Sequence, residues 1–131
     1  MTQFDMVGEF HVKFGLPTVA DGPPRPLTDH EFEFRSRFMR EELDEYEDAV
    51  AEGDLAKAAD ALVDLVYVVL GTAHLHRFPF DEVFAEVQAA NMRKVRASSA
   101  EESRRGSALD VVKPEGWTSP DVEGVLRRHS R

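Results

Sequence analysis

Apolar residues recur at three- and four-residue steps along most of the chain, which is the helical period, and nowhere alternate long enough to build a sheet. Phe4, Val7, Phe10, His11 and Phe14 hold that spacing over 4–15, and Gly15 followed by Leu16-Pro17 ends it. Four of the seven prolines fall in 17–27, an extended linker. Thr28-Asp29 then offers an N-cap, with Glu31 in the first turn, for a long helix running to about Ala51. Its apolar face is Phe38, Met39, Leu43, Tyr46, Ala49 and Val50. Gly53-Asp54 breaks the chain, and a third helix is expected over Leu55–His76. Phe78-Pro79-Phe80-Asp81 is a short connection whose Asp81 is the expected cap of a fourth helix, 82–97. Beyond Ser98-Ser99 the spacing of Gly106, Pro114, Gly116 and Pro120 predicts ordered loop, with a short helical piece near 121–129. The fold class is therefore all-α, in one domain over 1–131: an N-terminal helix and proline-rich linker to 28, a helical body, and a loop-rich tail over 98–131.

The apolar stripes from Phe32 to Val50 and from Leu55 to Ala73 are too wide for a chain of this length to cover alone. Two such hairpins would complete a four-helix core, so a homodimer is expected. Composition narrows the class further. With no cysteine, neither a disulfide framework nor a thiolate metal site is available. The stretch over 61–73 is interrupted by Asp64, and reads as too short and too acidic to span a bilayer. A cytoplasmic protein with no membrane partner is the expectation. Net charge is −9, unevenly spread: 29–64 carries thirteen acidic and four basic side chains, and 91–131 carries nine basic and six acidic ones. Such a chain is a poor nucleic-acid binder, which needs a basic surface. An acidic half beside a basic tail suits a phosphate ligand bridged by metal cations.

The acids carry the chemistry. In Arg40-Glu41-Glu42-Leu43-Asp44-Glu45-Tyr46-Glu47, Glu42 and Glu45 fall on the inner line of Phe38 and Ala49, with Glu41 at its edge. On the third helix, apolar nearly all round, Asp60 and Asp64 stand one turn apart on one face. Inward carboxylates are costly unless paired or bound to metal. Clustered oxygen ligands from two facing helices are what Mg²⁺ or Mn²⁺ requires, whereas a Glu-Glu-x-x-Glu alone is commonly a solvated face. Asn91 and Lys94 share a face of the fourth helix; Asn91 can hydrogen-bond a sugar hydroxyl or phosphate, and Lys94 either meets a phosphate or serves the helix C-terminus. Arg105 and Lys113 lie in loop, where they can wrap a triphosphate. Trp117 either stacks on a base or pins the tail, Arg35 is placed to pair with the acids, and His11 either packs or reads a base.

These motifs resemble the MazG-like superfamily of all-α pyrophosphohydrolases, and within it a short branch similar to phosphoribosyl-ATP pyrophosphohydrolase. The likeness rests on Glu41-Glu42-x-x-Glu45, on Asp60-Ala-Leu-Val-Asp64-Leu-Val-Tyr67-Val-Val-Leu-Gly71-Thr72-Ala73, on Val83-Phe84-Ala-Glu86-Val87 to Asn91-Met92-x-Lys94, and on Lys113-Pro114-Glu115-Gly116-Trp117 with Pro120-Asp121. It covers about 30–121. One departure stands out: the superfamily pattern Glu-x-x-Asp, if it ends at Asp64, places Ala61 where the Glu belongs, and if it ends at Asp60, places Lys57 there. The resemblance implies Mg²⁺-dependent hydrolysis of (d)NTP to (d)NMP and pyrophosphate in nucleotide-pool housecleaning. It implies Glu42, Glu45, Asp64 and Asp60 as metal ligands and Glu41 as a further ligand or the water-orienting base, with Glu41 and Glu42 interchangeable. It also implies a dimer or dimer of dimers. Alternatives are a dUTPase-like or phosphoribosyl-ATP-specific activity, or a non-catalytic helical dimer of regulatory or antitoxin-like kind.

Overall fold

The structure is a computed structural model that describes residues 1–130. Three helices make the body: α1 (Gln3–Lys13), α2 (Asp29–Glu52) and α3 (Leu55–His76). Local chemistry sets their ends. Thr2 and Thr28 each form a capping box, with Asp5 and Glu31 respectively, satisfying two otherwise orphaned amides at each start. Glu31 is further gripped by Arg25 at 2.9 Å, and that side-chain hydrogen bond holds its carboxyl down to about 2. α2 stops at Gly53, whose φ of 71° is the left-handed conformation that a residue without Cβ adopts freely. Asp54 caps α3 by accepting from the Lys57 amide at 3.0 Å.

α3 is the central helix, and both α1 and α2 pack on it rather than on one another. Where α1 meets α3, Phe4, Val7, Leu70 and Ala73 form the core, joined by Val19, Tyr67, Phe78 and Phe80. His74 lies inside this core, stacked on Phe4 at 3.8 Å between ring centroids. Its Nε2 donates to the Phe4 carbonyl (2.8 Å) and its Nδ1 accepts from the Val19 amide (3.1 Å), which fixes one neutral tautomer. The proline-rich linker is tied down: His76 Nδ1 donates to the Arg25 carbonyl (2.8 Å) and the Arg25 amide donates back to that of His76 (2.9 Å). By length and composition, α3 is apolar enough to cross a membrane (mean hydropathy 1.5). The core helix of a soluble protein meets the same criterion, and Asp60 and Asp64 interrupt this one.

Two expectations for the second half are corrected. The fourth helix, α4, spans Phe80–Met92, capped at Pro79 rather than Asp81, and it ends well before 97. Proline's fixed φ suits a helix start, and the Asp81 carboxylate instead accepts from the Thr2 hydroxyl at 2.8 Å. At the far end, Trp117 Nε1 donates to the Ala90 carbonyl (2.8 Å), which also takes the Arg93 amide of the closing turn (3.2 Å). Val95–Arg96 (β1) and Val111–Val112 (β2) then pair antiparallel, Val95 with Val112 and Arg96 with Val111. A ladder of two residues is too short for any alternation to announce. α5 (Val122–Arg128) closes the described chain and packs on α4.

Much apolar surface stays open. Phe32, Leu43 and Val50 on α2, Leu62, Val66 and Val69 on α3, and Phe84 on α4 are each between 37% and 61% exposed.

Candidate functional site: an acidic cluster across two helices

The α2–α3 hairpin is the most extensive helix pair in the molecule. Because its helices run antiparallel, the inner line of α2 passes Asp64 on α3 at the level of Glu42 and Glu45. One carboxylate oxygen from each of these three residues lies within 4.8 Å of the other two. Glu42 is only 9% exposed, and its Oε2 is buried with no hydrogen-bond partner. Burial raises its carboxyl above the usual range, and the neighbouring Glu45, Asp64 and Glu41 add to the effect. Asp64 is raised for the same leading reason, with Asp60 and Glu45 adding repulsion. Among the described residues the ion pairs are Arg25–Glu31, Lys57–Glu52, Arg105–Asp110 and His129–Glu82, so none neutralises the cluster. Three converging hard oxygens, one of them desolvated and unsatisfied, fit a divalent cation such as Mg²⁺.

The other expected acids lie outside this group. Asp60 is exposed, one turn nearer the Gly53 turn, and with Glu45, Asp48, Glu52 and Lys57 lines a neighbouring hollow. Ala61, at the superfamily's Glu position, is buried. Glu41 is exposed at the edge of α2 beside Phe34, Arg37 and Phe38. Arg35 makes no ion pair with the cluster; it lies two turns away on the same line of α2, against Gly71. His11 is buried, its Nδ1 donating to the Pro17 carbonyl at 2.7 Å.

The expected substrate-binding residues of the second half form a separate group. Lys94 and Lys113 place their ammonium groups 5.4 and 4.8 Å from the centre of the Trp117 ring. Trp117 thus joins the tail to the end of α4 through its indole hydrogen bond, with both ammonium groups near its ring. Asn91 is exposed on the last turn of α4. Arg105 is held in the tail by both carboxylate oxygens of Asp110, at 3.0 and 2.9 Å.

The family model for phosphoribosyl-ATP pyrophosphohydrolase matches residues 7–91, from α1 to the last turn of α4, and takes in all three clustered acids. The chain belongs to this family. No curated protein matches it. Membership in the phosphoribosyl-ATP pyrophosphohydrolase family supports a hydrolase of pyrophosphohydrolase type on the helical fold described above.

The residues that sequence reasoning undervalued are His74 and Gly71. A buried histidine and a mid-helix glycine carry no periodic signal, and their roles depend on what α1 and α2 bring against them.

Proposed function

We propose that this protein is a Mg²⁺-dependent nucleoside triphosphate pyrophosphohydrolase that releases a nucleoside monophosphate and pyrophosphate. The observation that carries the proposal is the buried, unpartnered Oε2 of Glu42 within a trio that forms no ion pair among the described residues. Such a carboxylate costs stability unless a ligand completes it. Glu42, Glu45 and Asp64 would hold the metal, with Asp60 one turn further out. When bound, a divalent ion neutralises phosphate charge and lowers the pKa of a coordinated water. Glu41, exposed at the edge of α2, would orient the attacking water and accept its proton. Lys94 and Lys113 would supply phosphate contacts, with Asn91 beside them. Arg105 is already satisfied by Asp110 and contributes less.

The working form is proposed to be a homodimer, alone or paired into a tetramer. On α2, Phe32, Ser36, Met39, Leu43, Tyr46 and Val50 follow one another at alternating steps of four and three residues, the spacing of a helix-packing seam. Leu55, Ala59, Leu62, Val66 and Val69 do the same on α3. A second hairpin on this face would bury the exposed members of both seams. The reading places the protein in the cytoplasm, where nucleotide pools are.

The deciding experiment is a panel of canonical and modified NTPs and dNTPs, dUTP and phosphoribosyl-ATP with Mg²⁺ or Mn²⁺, with products separated. Monophosphate with pyrophosphate is the expected outcome; diphosphate with phosphate, or no turnover of any substrate, sinks the proposal. The family's description favours phosphoribosyl-ATP as a second reading, and turnover of that compound alone would establish it.

A further inference from the structure

One line of α3 carries Asp60, Asp64, Tyr67 and Gly71, at steps of four, three and four residues. At one end Asp64 joins Glu42 and Glu45. At the other, a Cβ on Gly71 would meet His11 Nε2 at 2.9 Å and an Arg35 terminal nitrogen at 3.0 Å. The missing side chain is what admits both groups. Arg35 stands seven residues before Glu42, and Gly71 seven after Asp64, so the two ends are about 10 Å apart along the helices.

Arg35 is the anomaly here. Its guanidinium is half-buried and its Nε is buried without a hydrogen-bond partner. The anion one helical turn before it, Glu31, is taken by Arg25. The centre of the Phe34 ring lies 5.9 Å from its guanidinium carbon. A planar fork of donors, half-desolvated and without an acceptor among the described residues, asks for one from outside. Aromatic rings flank the same end. Phe10 stands edge-on to Tyr67 at 5.3 Å and tilted to Phe14 at 4.7 Å, and Phe10 and Phe14 remain 42% and 57% exposed. Exposed aromatic faces beside a free guanidinium match the chemistry of a nucleobase, which stacks through its plane and offers acceptors at its edge.

We propose that Arg35, set against Gly71 and His11, binds the acceptor edge of the nucleobase whose phosphates the acidic cluster holds, and so governs base preference. This rests on the pyrophosphohydrolase reading above and adds a place for the non-reacting end of the substrate.

The test is calorimetric binding to the full chain with Mg²⁺, using α,β-imido nucleoside triphosphates and inorganic tripolyphosphate as separate probes. Arg35→Gln should weaken the nucleotide analogues by about tenfold or more, a lost charge-assisted hydrogen bond, and leave tripolyphosphate unchanged. Arg35→Lys keeps the charge but not the fork and should fall between. It also serves if the Gln variant fails to keep the wild-type helical circular dichroism. Equal losses for both probes would make Arg35 a phosphate contact, and no loss for either would make it structural; both overturn the proposal. Wild-type protein that binds neither probe would instead remove the pyrophosphohydrolase reading on which it stands.

Discussion

At the scale of single residues, Glu42 and His11 are both buried where their charged forms are penalised, with opposite consequences. Glu42 sits among like charges with an unsatisfied oxygen. Glu42→Gln should therefore stabilise the metal-free protein, by about 1 kcal/mol or roughly 4 °C in melting temperature. The same substitution should abolish the gain in melting temperature that saturating Mg²⁺ gives the wild type, which is about 2.7 kcal/mol at a hundredfold excess over Kd. Thermal melts with and without Mg²⁺ check both halves, and turnover should fall by more than about a hundredfold, beyond the usual cost of an outer-shell partner. His11 is held below its ordinary value of 6.5 by burial first, with the Arg35 charge adding to it, against the opposing Pro17 hydrogen bond. The unfolded chain then takes up the proton before the folded one does. This contribution is complete above pH 6.5 and is lost as pH falls from 6.5 through the lower folded-state value. Urea midpoints at pH 7.5 and 5.5 should drop more for wild type than for His11→Gln, and equal drops would show that His11 carries none of the dependence. The clustered acids were legible in the sequence because inward carboxylates break an apolar helical stripe. Asp60 was not separable from Asp64 there: helical spacing gives both one face, and only packing sets one beside Glu42 and the other beside Lys57.

At the scale of elements, the long helices were readable because each starts at a threonine or aspartate cap and ends at a glycine or a change of period. α3 was expected at Leu55–His76 and lies there, while α2 ends one residue later than expected. α4 was misjudged at both ends, because its limits are set from outside its own sequence, by Thr2 reaching Asp81 and by Trp117 reaching the Ala90 carbonyl. Trp117→Phe keeps the ring's bulk and removes that donor. Amide exchange over α4's last turn and the β1–β2 ladder should quicken markedly, with α2 and α3 unchanged. Unchanged exchange throughout would mean that the indole hydrogen bond does not hold the tail. Thr28→Ala removes the α2 cap and should cost about 1 kcal/mol, read as a shift in the urea midpoint. Because the Arg25–Glu31 pair survives that change, a much larger loss would point to the linker and not the cap.

At the scale of the whole molecule, one chain leaves the two seams of its main hairpin facing outward, and α3, the most apolar helix, is the one least able to tolerate that. Burying apolar area is worth about 25 cal/mol per Å², and a second hairpin presenting the same seams is the self-complementary surface that a two-fold dimer uses. The clustered acids are distinct from the seam: Glu42 is buried, Asp64 half-buried and Glu45 exposed, whereas the seam residues are Phe32, Leu43, Val50, Leu62, Val66 and Val69. Val66 is near the middle of α3, so a two-fold axis through the centre of the face would bring it close to its own counterpart. Val66→Glu should then place two carboxylates together in an apolar interface, where like charges cost several kcal/mol. Sedimentation at micromolar concentration should show the wild type as dimer or tetramer and Val66→Glu as monomer with reduced thermal stability. Leu109→Glu, on an equally apolar but isolated and 85% exposed tail residue, should leave both mass and melting temperature as they were. A wild-type monomer would assign the open seams to a different partner, and a Val66→Glu variant that stays dimeric would move the interface off this face of α3.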